Sequence, residues 1–199
     1  FGMHDGFVAR TKQGGIDVVA YGDSIMMGWE GGADKLVKAI NPGLTAVNYG
    51  IGGDSTRQLL WRISHGEVDG IKPRLVILGI GTNNLYGDQN AGSDEEIAQG
   101  IAAVVKMLCV KLPETKILLL SILPRQNDYF CNRLYAINSQ ISKLAIPEKV
   151  IYHDRTALFQ EGPGKIKTEL FNGDKLHLKK SSYEVWDADL KPVVEALLK

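Results

Sequence analysis

The sequence predicts an α/β fold, a three-layer α/β/α sandwich around a five-stranded parallel sheet. Short apolar runs alternate along the chain with longer segments in which apolar residues recur at helical spacing. The run at 75–80 is almost continuously apolar, which is typical of a parallel strand covered on both faces. The 22 glycines suit a fold with many strand-to-helix turns.

The first half of the chain contains three of the predicted strands. They lie at 16–21, 44–49 and 75–80. A helix is predicted at 29–40, although two glycines weaken its start. Asp54 is predicted to cap the next helix, which carries the apolar residues Leu59, Leu60 and Ile63.

The clearest predicted helix follows the third strand. Ser93 and Glu96 have the spacing of a capping box, which satisfies backbone N–H groups at a helix start. The residues after them keep one apolar face, formed by Ile97, Ile101, Val104, Val105, Leu108 and Leu112. This pattern predicts an amphipathic helix packed on the sheet.

The remaining elements repeat the alternation. The last two strands are predicted at 117–122 and 149–152. The helix between them carries Leu134, Ile137, Ile141 and Leu144. A final helix begins near Ser182, and Pro192 is predicted to kink or split it, because proline cannot donate the helical hydrogen bond.

This element order restricts the topology of the sheet. Crossovers between parallel strands are right-handed, and five strands with this spacing suit the flavodoxin-like order 2-1-3-4-5. In such sheets ligands bind beyond the carboxyl ends of the strands, near the point where the strand order reverses.

Composition sets the broad class of the protein. The 199 residues are expected to form one domain, 1–199. The 23 basic residues balance the 23 acidic ones, which argues against nucleic acid as a partner. No apolar stretch approaches the roughly 18 residues that a membrane span needs. The compartment is left open, either cytoplasmic or secreted with a signal peptide absent from this chain, which begins at Phe1.

The two cysteines carry little functional information. Cys109 and Cys131 lack Cys-x-x-Cys spacing, which argues against a zinc or redox site. Cys109 lies on an apolar helical face and is expected to be buried, with a disulfide left open.

Polar or glycine-rich segments follow four of the predicted strands. Ser24 follows the first strand, a glycine-rich turn at 48–54 follows the second, and Gly-Thr-Asn-Asn at 81–84 follows the third. Asp174 and His177 come after the fifth strand, before the last helix. Because the carboxyl ends of parallel strands share one edge of the sheet, these segments are expected to meet there.

The residue types at this edge fit nucleophilic catalysis. A serine needs a base to take its proton, and an imidazole, which titrates near pH ~6.5, can do so. We therefore predict Ser24 as nucleophile, His177 as base and Asp174 as the group that orients His177. The amides of Ser24 and Gly53 and the side chain of Asn83 are predicted to form the oxyanion hole.

Each segment also has an ordinary structural interpretation, as a tight turn or a capped loop. Four such placements in this order favour the catalytic interpretation. Arg57 is either a contact for an anionic or sugar portion of a substrate or a solvated helix residue. Asp23 is expected to hold its own turn rather than orient His177.

These motifs resemble the blocks of the SGNH hydrolases, also called the GDSL esterase family. The matching residues are Gly22-Asp23-Ser24-Ile25, Gly53, Gly81-Thr82-Asn83-Asn84, and Asp174 with His177. Within the family the chain is most similar to the catalytic subunits of platelet-activating-factor acetylhydrolase and to bacterial acetylesterase relatives, through segments at 48–57, 60–62, 66–67, 71–73 and 123–125.

The resemblance implies the same triad and oxyanion hole, with no metal or organic cofactor. It places Ile25, Thr82 and Leu176 around the acyl group, and their bulk favours a short acyl chain. Ile25 stands where the family usually has Leu, a mild departure. The resemblance also allows a homodimer.

We therefore expect a serine esterase that hydrolyses short-chain esters, acetyl esters above all, with a carbohydrate as the favoured alcohol because the sequence has no extended apolar lid. One alternative is a lysophospholipase or a platelet-activating-factor-like acetylhydrolase acting on lipid esters. An alternative of another class is a non-catalytic flavodoxin-like binding module. The segment at 25–27 argues against that module, because it lacks the Gly, Ser and Thr that cradle phosphate.

Overall fold

The central sheet has the predicted topology. The computed structural model describes residues 2–85 and 92–199. The strands of its main sheet are β1 Val18–Gly22, β2 Ala46–Asn48, β3 Leu75–Gly79, β4 Lys116–Leu120 and β5 Val150–His153. Within the described ranges these five pair in parallel, in the order β2-β1-β3-β4-β5. The predicted fold class and strand order are confirmed.

Helices cover both faces of this sheet. In chain order they are α1 Gly2–Lys12, α2 Ser24–Gly28, α3 Gly32–Ile40, α4 Thr56–Arg62, α5 Asp94–Lys111, α6 Asp128–Ile141 and α7 Ser182–Leu198. Apolar residues of α4, α5 and α6 pack on one face, and those of α2, α3 and α7 on the other. The three layers follow from this division.

The strand sequences explain why helices must pack on both faces of the sheet. Successive side chains of a strand point to opposite faces of its sheet. Val19 and Tyr21 belong to the core beneath α4, α5 and α6, whereas Val18 and Ala20 belong to the core on the other side. Every residue of β1 is buried. A strand without polar positions is therefore stable only between two layers of helices.

One of the two helix caps predicted from local sequence patterns is present, and the other is shifted by one residue. The Ser93–Glu96 capping box is present, with the Glu96 amide donating to Ser93 Oγ at 3.1 Å and the Ser93 amide donating to Glu96 Oε2 at 2.7 Å. The predicted cap at Asp54 is wrong by one residue. Ser55 caps α4 and forms a capping box with Gln58, while the Asp54 carboxylate accepts a hydrogen bond from Arg62.

Pro192 was predicted to kink or split the last helix, and the structure shows that it does not split it: α7 continues across the proline. Proline removes one helical hydrogen bond, but tertiary packing supplies most of a helix's stability. Side chains on both sides of the proline are buried against the sheet: Trp186 and Leu190 before it, Val194 and Leu198 after it.

Several elements of the described residues were not predicted, among them α1, the short helix α2, and a hairpin of β6 Gln160–Gly162 with β7 Lys165–Ile166. Cys131 is buried and Cys109 is partly buried, and both are free thiols. In the described part of the chain, no helix combines the length and apolarity needed to cross a bilayer.

Candidate active site

Ser24 stands at the carboxyl end of β1, where the strand passes directly into α2. Asp23 caps this helix, and its Oδ1 accepts a hydrogen bond from the Ile25 amide at 2.9 Å. Gly22 allows the tight passage, because a β-carbon there would clash with the Gly79 carbonyl oxygen and the Met26 side chain. The serine is thereby presented at the edge of the sheet in the first turn of a helix.

His177 joins Ser24 to Asp174 through two hydrogen bonds. Its Nε2 lies 2.8 Å from Ser24 Oγ, and its Nδ1 lies 2.6 Å from Asp174 Oδ2. The structure thus brings together three side chains from two distant parts of the sequence. A nucleophile, a base and an orienting carboxylate in this arrangement are able to carry out acyl transfer.

Asp174 is held in its ionised form. The Asp174 carboxyl is largely exposed, and its slight burial disfavours ionisation. Hydrogen bonds from the His177 ring and from the amides of Leu176 and His177 outweigh this effect and lower the pKa of Asp174 to about 2. Both amides donate to Asp174 Oδ1 at 3.0 Å. The carboxylate therefore remains negative beside the imidazole at neutral pH.

The three predicted oxyanion-hole donors lie around the same edge. Ser24 opens α2, and the first amides of a helix have no acceptor within it. Gly53 adopts a φ of +83°, which a residue with a side chain rarely takes, and a β-carbon there would meet open space. The Asn83 side-chain amide donates to the Asp54 carbonyl oxygen at 2.9 Å, which ties it to the residue after Gly53. The side-chain nitrogen of an asparagine carries two N–H groups, and this hydrogen bond uses one of them.

The glycine-rich turn approaches Ser24 closely. A β-carbon built at Gly52 would lie 3.8 Å from Cβ of Ser24, and one at Gly50 would clash with the backbone of Met26 and Met27. The turn can therefore pack against α2 only because these positions carry no side chain.

The predicted pocket residues divide into two groups. Ile25, Thr82 and Leu176 are 8%, 1% and 5% exposed, so all three are buried. Ile25 and Thr82 also line a small cavity of about 20 Å³ that includes Asp23, the residue before Ser24. Arg57 lies away from them, in an open cleft of about 620 Å³ that also includes Gly53 and Asn83.

Asp23 behaves as predicted, as a residue of the nucleophile turn. It is 3% exposed, and burial raises its pKa to about 7, although the Ile25 amide and His177 act in the opposite direction. The carboxyl that is hydrogen-bonded to the His177 ring is that of Asp174, whereas Asp23 accepts a hydrogen bond from the Ile25 amide, next to Ser24.

Two residues whose side chains support α2 were not identified from the sequence. Tyr183 donates from its hydroxyl to the Ile25 carbonyl oxygen at 2.6 Å. Asn48 donates to the carbonyl oxygens of Met26 and Trp29 at 2.7 and 3.1 Å. Asn48 has a possible sequence signal, a polar residue at the end of a strand, whereas nothing local to Tyr183 points to α2.

Residues 2–85 and 92–199 contain no group of three or more His, Cys, Asp or Glu side chains placed to hold a metal ion.

The sequence matches the model of the GDSL-like Lipase/Acylhydrolase family over residues 20–185. The chain belongs to the GDSL-like lipase/acylhydrolase family. It is an ester hydrolase, so the interpretation as a non-catalytic flavodoxin-like module has lost its support. The resemblance seen in the four sequence motifs is confirmed.

Relatives of this family are similar over most of the chain. Platelet-activating factor acetylhydrolase IB subunit alpha2 from Homo sapiens is 32% identical over 185 residues, which cover 91% of this chain and 77% of the relative. A GDSL-like lipase from Bacteroides thetaiotaomicron superposes with a TM-score of 0.72 at 20% identity, covering 94% of this chain and 90% of the other. A carbohydrate esterase family 3 protein from Talaromyces cellulolyticus gives a TM-score of 0.68 at 14% identity, covering 92% and 98%.

Proposed function

We propose that this GDSL hydrolase removes short acyl groups, acetyl above all, from carbohydrate esters through a Ser24–His177–Asp174 triad and a covalent acyl-enzyme. The observation that carries the proposal is the pair of hydrogen bonds at His177. One joins its ring to Ser24 Oγ at 2.8 Å, and the other joins it to Asp174 Oδ2 at 2.6 Å.

The proposed reaction has two halves. His177 Nε2 takes the proton of Ser24 as its oxygen attacks the ester carbonyl, and the same nitrogen then returns a proton to the departing alcohol. A water molecule, deprotonated by His177, next attacks the acyl-serine and releases the acid. The ionised Asp174 stabilises the imidazolium in both halves, which fits its lowered pKa of about 2.

During acyl transfer the ester carbonyl oxygen becomes negatively charged, and we propose that three N–H donors stabilise it by hydrogen bonding. They come from the amides of Ser24 and Gly53 and from Asn83 Nδ2. Such donors act most strongly when they are fixed before the reaction, and one of them is commonly worth about 3 kcal/mol of the barrier. The hydrogen bond between Asn83 and the Asp54 carbonyl oxygen supports this preorganisation.

The proposed preference for short acyl groups rests on the burial of the three residues that the family resemblance places around the acyl group, which together would form an acyl wall. Ile25, Thr82 and Leu176 are all buried, and the guanidinium of Arg125 donates to Thr82 Oγ1 at 3.0 Å. A wall whose members are packed and hydrogen-bonded cannot move aside easily for a longer chain. An acetyl group needs the least room.

The preference for a carbohydrate rests on the open cleft beside Gly53 and Asn83. Its wall is mainly polar and includes Arg57, Gln58 and Asn84. Amide and guanidinium groups can form hydrogen bonds with sugar hydroxyls, or in the case of Arg57 with an anionic substituent. The fold shared with the carbohydrate esterase from Talaromyces cellulolyticus agrees with this choice.

A lipid ester is the second candidate, and a different observation favours it. Met27 is 41% exposed, and its Cε lies 3.3 Å from the position of a β-carbon at Gly52, close to the nucleophile. An exposed apolar side chain beside Ser24 would suit an alkyl chain. The identity to platelet-activating factor acetylhydrolase IB subunit alpha2 points the same way.

A hydrolysis panel tests the proposal. It compares nitrophenyl esters from acetate to octanoate, an acetylated sugar and an acetylated ether phospholipid. We expect kcat/KM to be highest for acetate among the nitrophenyl esters and to fall about tenfold or more by butyrate, because each methylene must displace packed side chains. We expect the acetylated sugar to be hydrolysed faster than the ether lipid.

Two variants control this panel. Ser24→Ala is expected to lose turnover of every ester while keeping its folded circular dichroism spectrum. Ser139→Ala, which changes an exposed serine of α6, is expected to match the unchanged protein. Preference for octanoate contradicts the short-acyl proposal, faster hydrolysis of the ether lipid decides for the second candidate, and turnover by Ser24→Ala removes the mechanism.

A further inference from the structure

Four ionisable side chains lie buried directly behind the proposed oxyanion hole. Asp54, Arg62, Glu67 and His4 are 6%, 3%, 0% and 8% exposed. Charged side chains are seldom buried this deeply unless they are paired. The proposed mechanism uses none of them.

Arg62 lies at the centre of this cluster and is hydrogen-bonded to both ends of the glycine-rich turn. Its Nη2 donates to the Tyr49 carbonyl oxygen at 3.1 Å, and its Nε donates to Asp54 Oδ2 at 2.8 Å. Tyr49 begins the turn and Asp54 ends it, so the loop that contains Gly53 is held by one guanidinium. A lysine has a single ammonium group and cannot reproduce this fork.

Glu67 holds the guanidinium from the other side. Its Oε2 accepts from Arg62 Nη1 at 2.6 Å, and its Oε1 lies 2.8 Å from His4 Nδ1. The Glu67 carbonyl oxygen also accepts from Thr11 Oγ1 at 2.9 Å and from Tyr21 Oη at 3.2 Å. Strand β1 and helix α1 therefore fix Glu67, and Glu67 in turn fixes Arg62.

The far end of the cluster reaches Asn83, one of the proposed oxyanion donors. The Asp54 carbonyl oxygen accepts from Asn83 Nδ2 at 2.9 Å, and Asn84, the next residue, exchanges hydrogen bonds with Thr56 at 3.1 and 2.9 Å. The position of the Asn83 side chain therefore depends on where Asp54 sits, and Asp54 is bound to Arg62.

Stability alone explains this cluster poorly. The cost of removing charges from water often equals or exceeds the attraction gained within a buried ion pair. Burial raises the pKa of Asp54, and Arg62 opposes that rise. A cluster that adds little net stability but fixes geometry is expected where geometry matters most, as it does at an oxyanion hole.

We propose that Arg62, backed by Glu67, is the positioning residue of the oxyanion hole, because it clasps the Tyr49–Asp54 turn so that the Gly53 amide and Asn83 Nδ2 converge on one oxygen. The inference rests on the proposed function, since it assumes that these donors bind the oxyanion.

A double-mutant cycle between Arg62→Met and Asn83→Ala tests the inference, with kcat and KM measured on nitrophenyl acetate. Asn83→Ala should lower kcat about 100-fold. Arg62→Met should lower kcat about tenfold or more with KM within about threefold, since a misplaced oxyanion donor affects the transition state more than the bound ester. The double variant should be clearly faster than the product of the two single losses predicts, because the interaction through Asn83 is lost only once, while displacement of the Gly53 amide still lowers kcat.

Leu112→Ala serves as the stability control. Leu112 is 3% exposed and is the C-cap residue after α5, shortly before the start of β4 and therefore at the opposite end of the sheet from Ser24, which follows the end of β1. Its truncation should lower the free energy of unfolding and leave kcat within about twofold at a temperature where the variant is folded. If Arg62→Met does not fold, Arg62→Lys replaces it in the same cycle and should show the same non-additivity with a smaller loss.

The outcomes separate the two proposals. An unchanged kcat in Asn83→Ala overturns the oxyanion-hole assignment and this inference with it. If Asn83→Ala causes a large loss of kcat and the double variant shows the full product of the two single losses, the positioning role alone is overturned. A rise in KM without a fall in kcat in the Arg62 variant does the same.

Discussion

At the scale of single residues, two carboxyl groups near Ser24 have opposite environments. Asp23 is buried under the nucleophile turn, and burial raises its pKa to about 7. Asp174 lies at the rim, where hydrogen bonds outweigh a small burial effect and lower its pKa to about 2. Two carboxyl groups whose environments give them very different pKa values are expected to have different roles. Only Asp174 is suited to a permanent negative charge beside an imidazole.

The raised pKa of Asp23 predicts a pH-dependent cost in stability. Between its ordinary value of 3.8 and about 7, the folded protein keeps the Asp23 proton while the unfolded chain loses it. The free energy of unfolding should therefore fall as pH rises through this window, and ionisation of the buried group costs the most above it. Asp23→Asn removes the titration while keeping an oxygen to accept from the Ile25 amide.

Urea unfolding from about pH 4 to pH 8 measures this effect across the window set by the Asp23 pKa. We expect Asp23→Asn to gain stability relative to the unchanged protein as pH rises. Asp5→Asn, at an exposed position of α1, should instead run parallel to the unchanged protein. Parallel curves for Asp23→Asn and the unchanged protein would show that burial does not perturb this carboxyl.

Sequence reasoning at the residue scale identified the groups that we propose to contact the substrate, but it did not identify the residues that support them. Ser24, Asn83 and His177 could be predicted because each follows a recognisable strand or precedes a helix. Arg62 was not predicted, because a charged residue is usually exposed and its partners Asp54 and Glu67 are brought to it only by folding. His4 lies 63 residues from Glu67 in sequence, a pairing that no local pattern can show.

At the scale of secondary structure, α7 both covers the sheet and supports the nucleophile helix. Tyr183 in its first turn donates to the Ile25 carbonyl oxygen at 2.6 Å. A β-carbon at Gly28 would lie 2.5 Å from the Tyr183 hydroxyl, so the glycine at the end of α2 makes room for the contact. Burial, followed by the nearby Asp23, raises the pKa of Tyr183, which keeps its hydroxyl protonated and able to donate.

Removing this hydroxyl should affect both stability and catalysis. Tyr183→Phe leaves a backbone acceptor without its partner, and we expect it to lower the free energy of unfolding by about 1 kcal/mol. Because Ile25 adjoins Ser24, kcat on nitrophenyl acetate should fall more than KM rises. Denaturant unfolding and steady-state kinetics measure the two effects.

Tyr129→Phe is the matched control for this prediction. Tyr129 is 63% exposed on α6, so its variant should resemble the unchanged protein in both measurements. A Tyr183→Phe variant with normal kcat would show that α7 does not position the nucleophile.

The elements themselves differ in how well their sequences reveal them. The buried strands and α5 have strong apolar patterns, and α5 also carries its capping box. Helix α1 lacks that signal, because the residues it buries are the polar His4 and Thr11. The hairpin β6–β7 could have been found from the Gly162-Pro163-Gly164 turn between its strands, since glycine and proline together mark tight turns.

At the scale of the whole molecule, the parallel sheet gathers the site. Strands β1, β2 and β3 are neighbours, so the segments that follow them share one edge. The segment before α7 then brings Asp174 and His177 to the same edge. This convergence could be predicted from topology alone, whereas the depth of the acyl wall and the shape of the polar cleft depend on side-chain packing. That residues 1–199 form one domain, and that two copies pair, stay predictions.

Labelling with a fluorophosphonate probe tests the central claim most directly, because the reagent bonds to a serine only when a base has activated it. Peptide mapping by mass spectrometry should find one phosphonyl group per chain, on Ser24, and labelling should be lost in Ser24→Ala and reduced by about 100-fold or more in His177→Ala. Stoichiometric labelling at another residue, or labelling of Ser24 that persists unchanged without His177, would contradict the account.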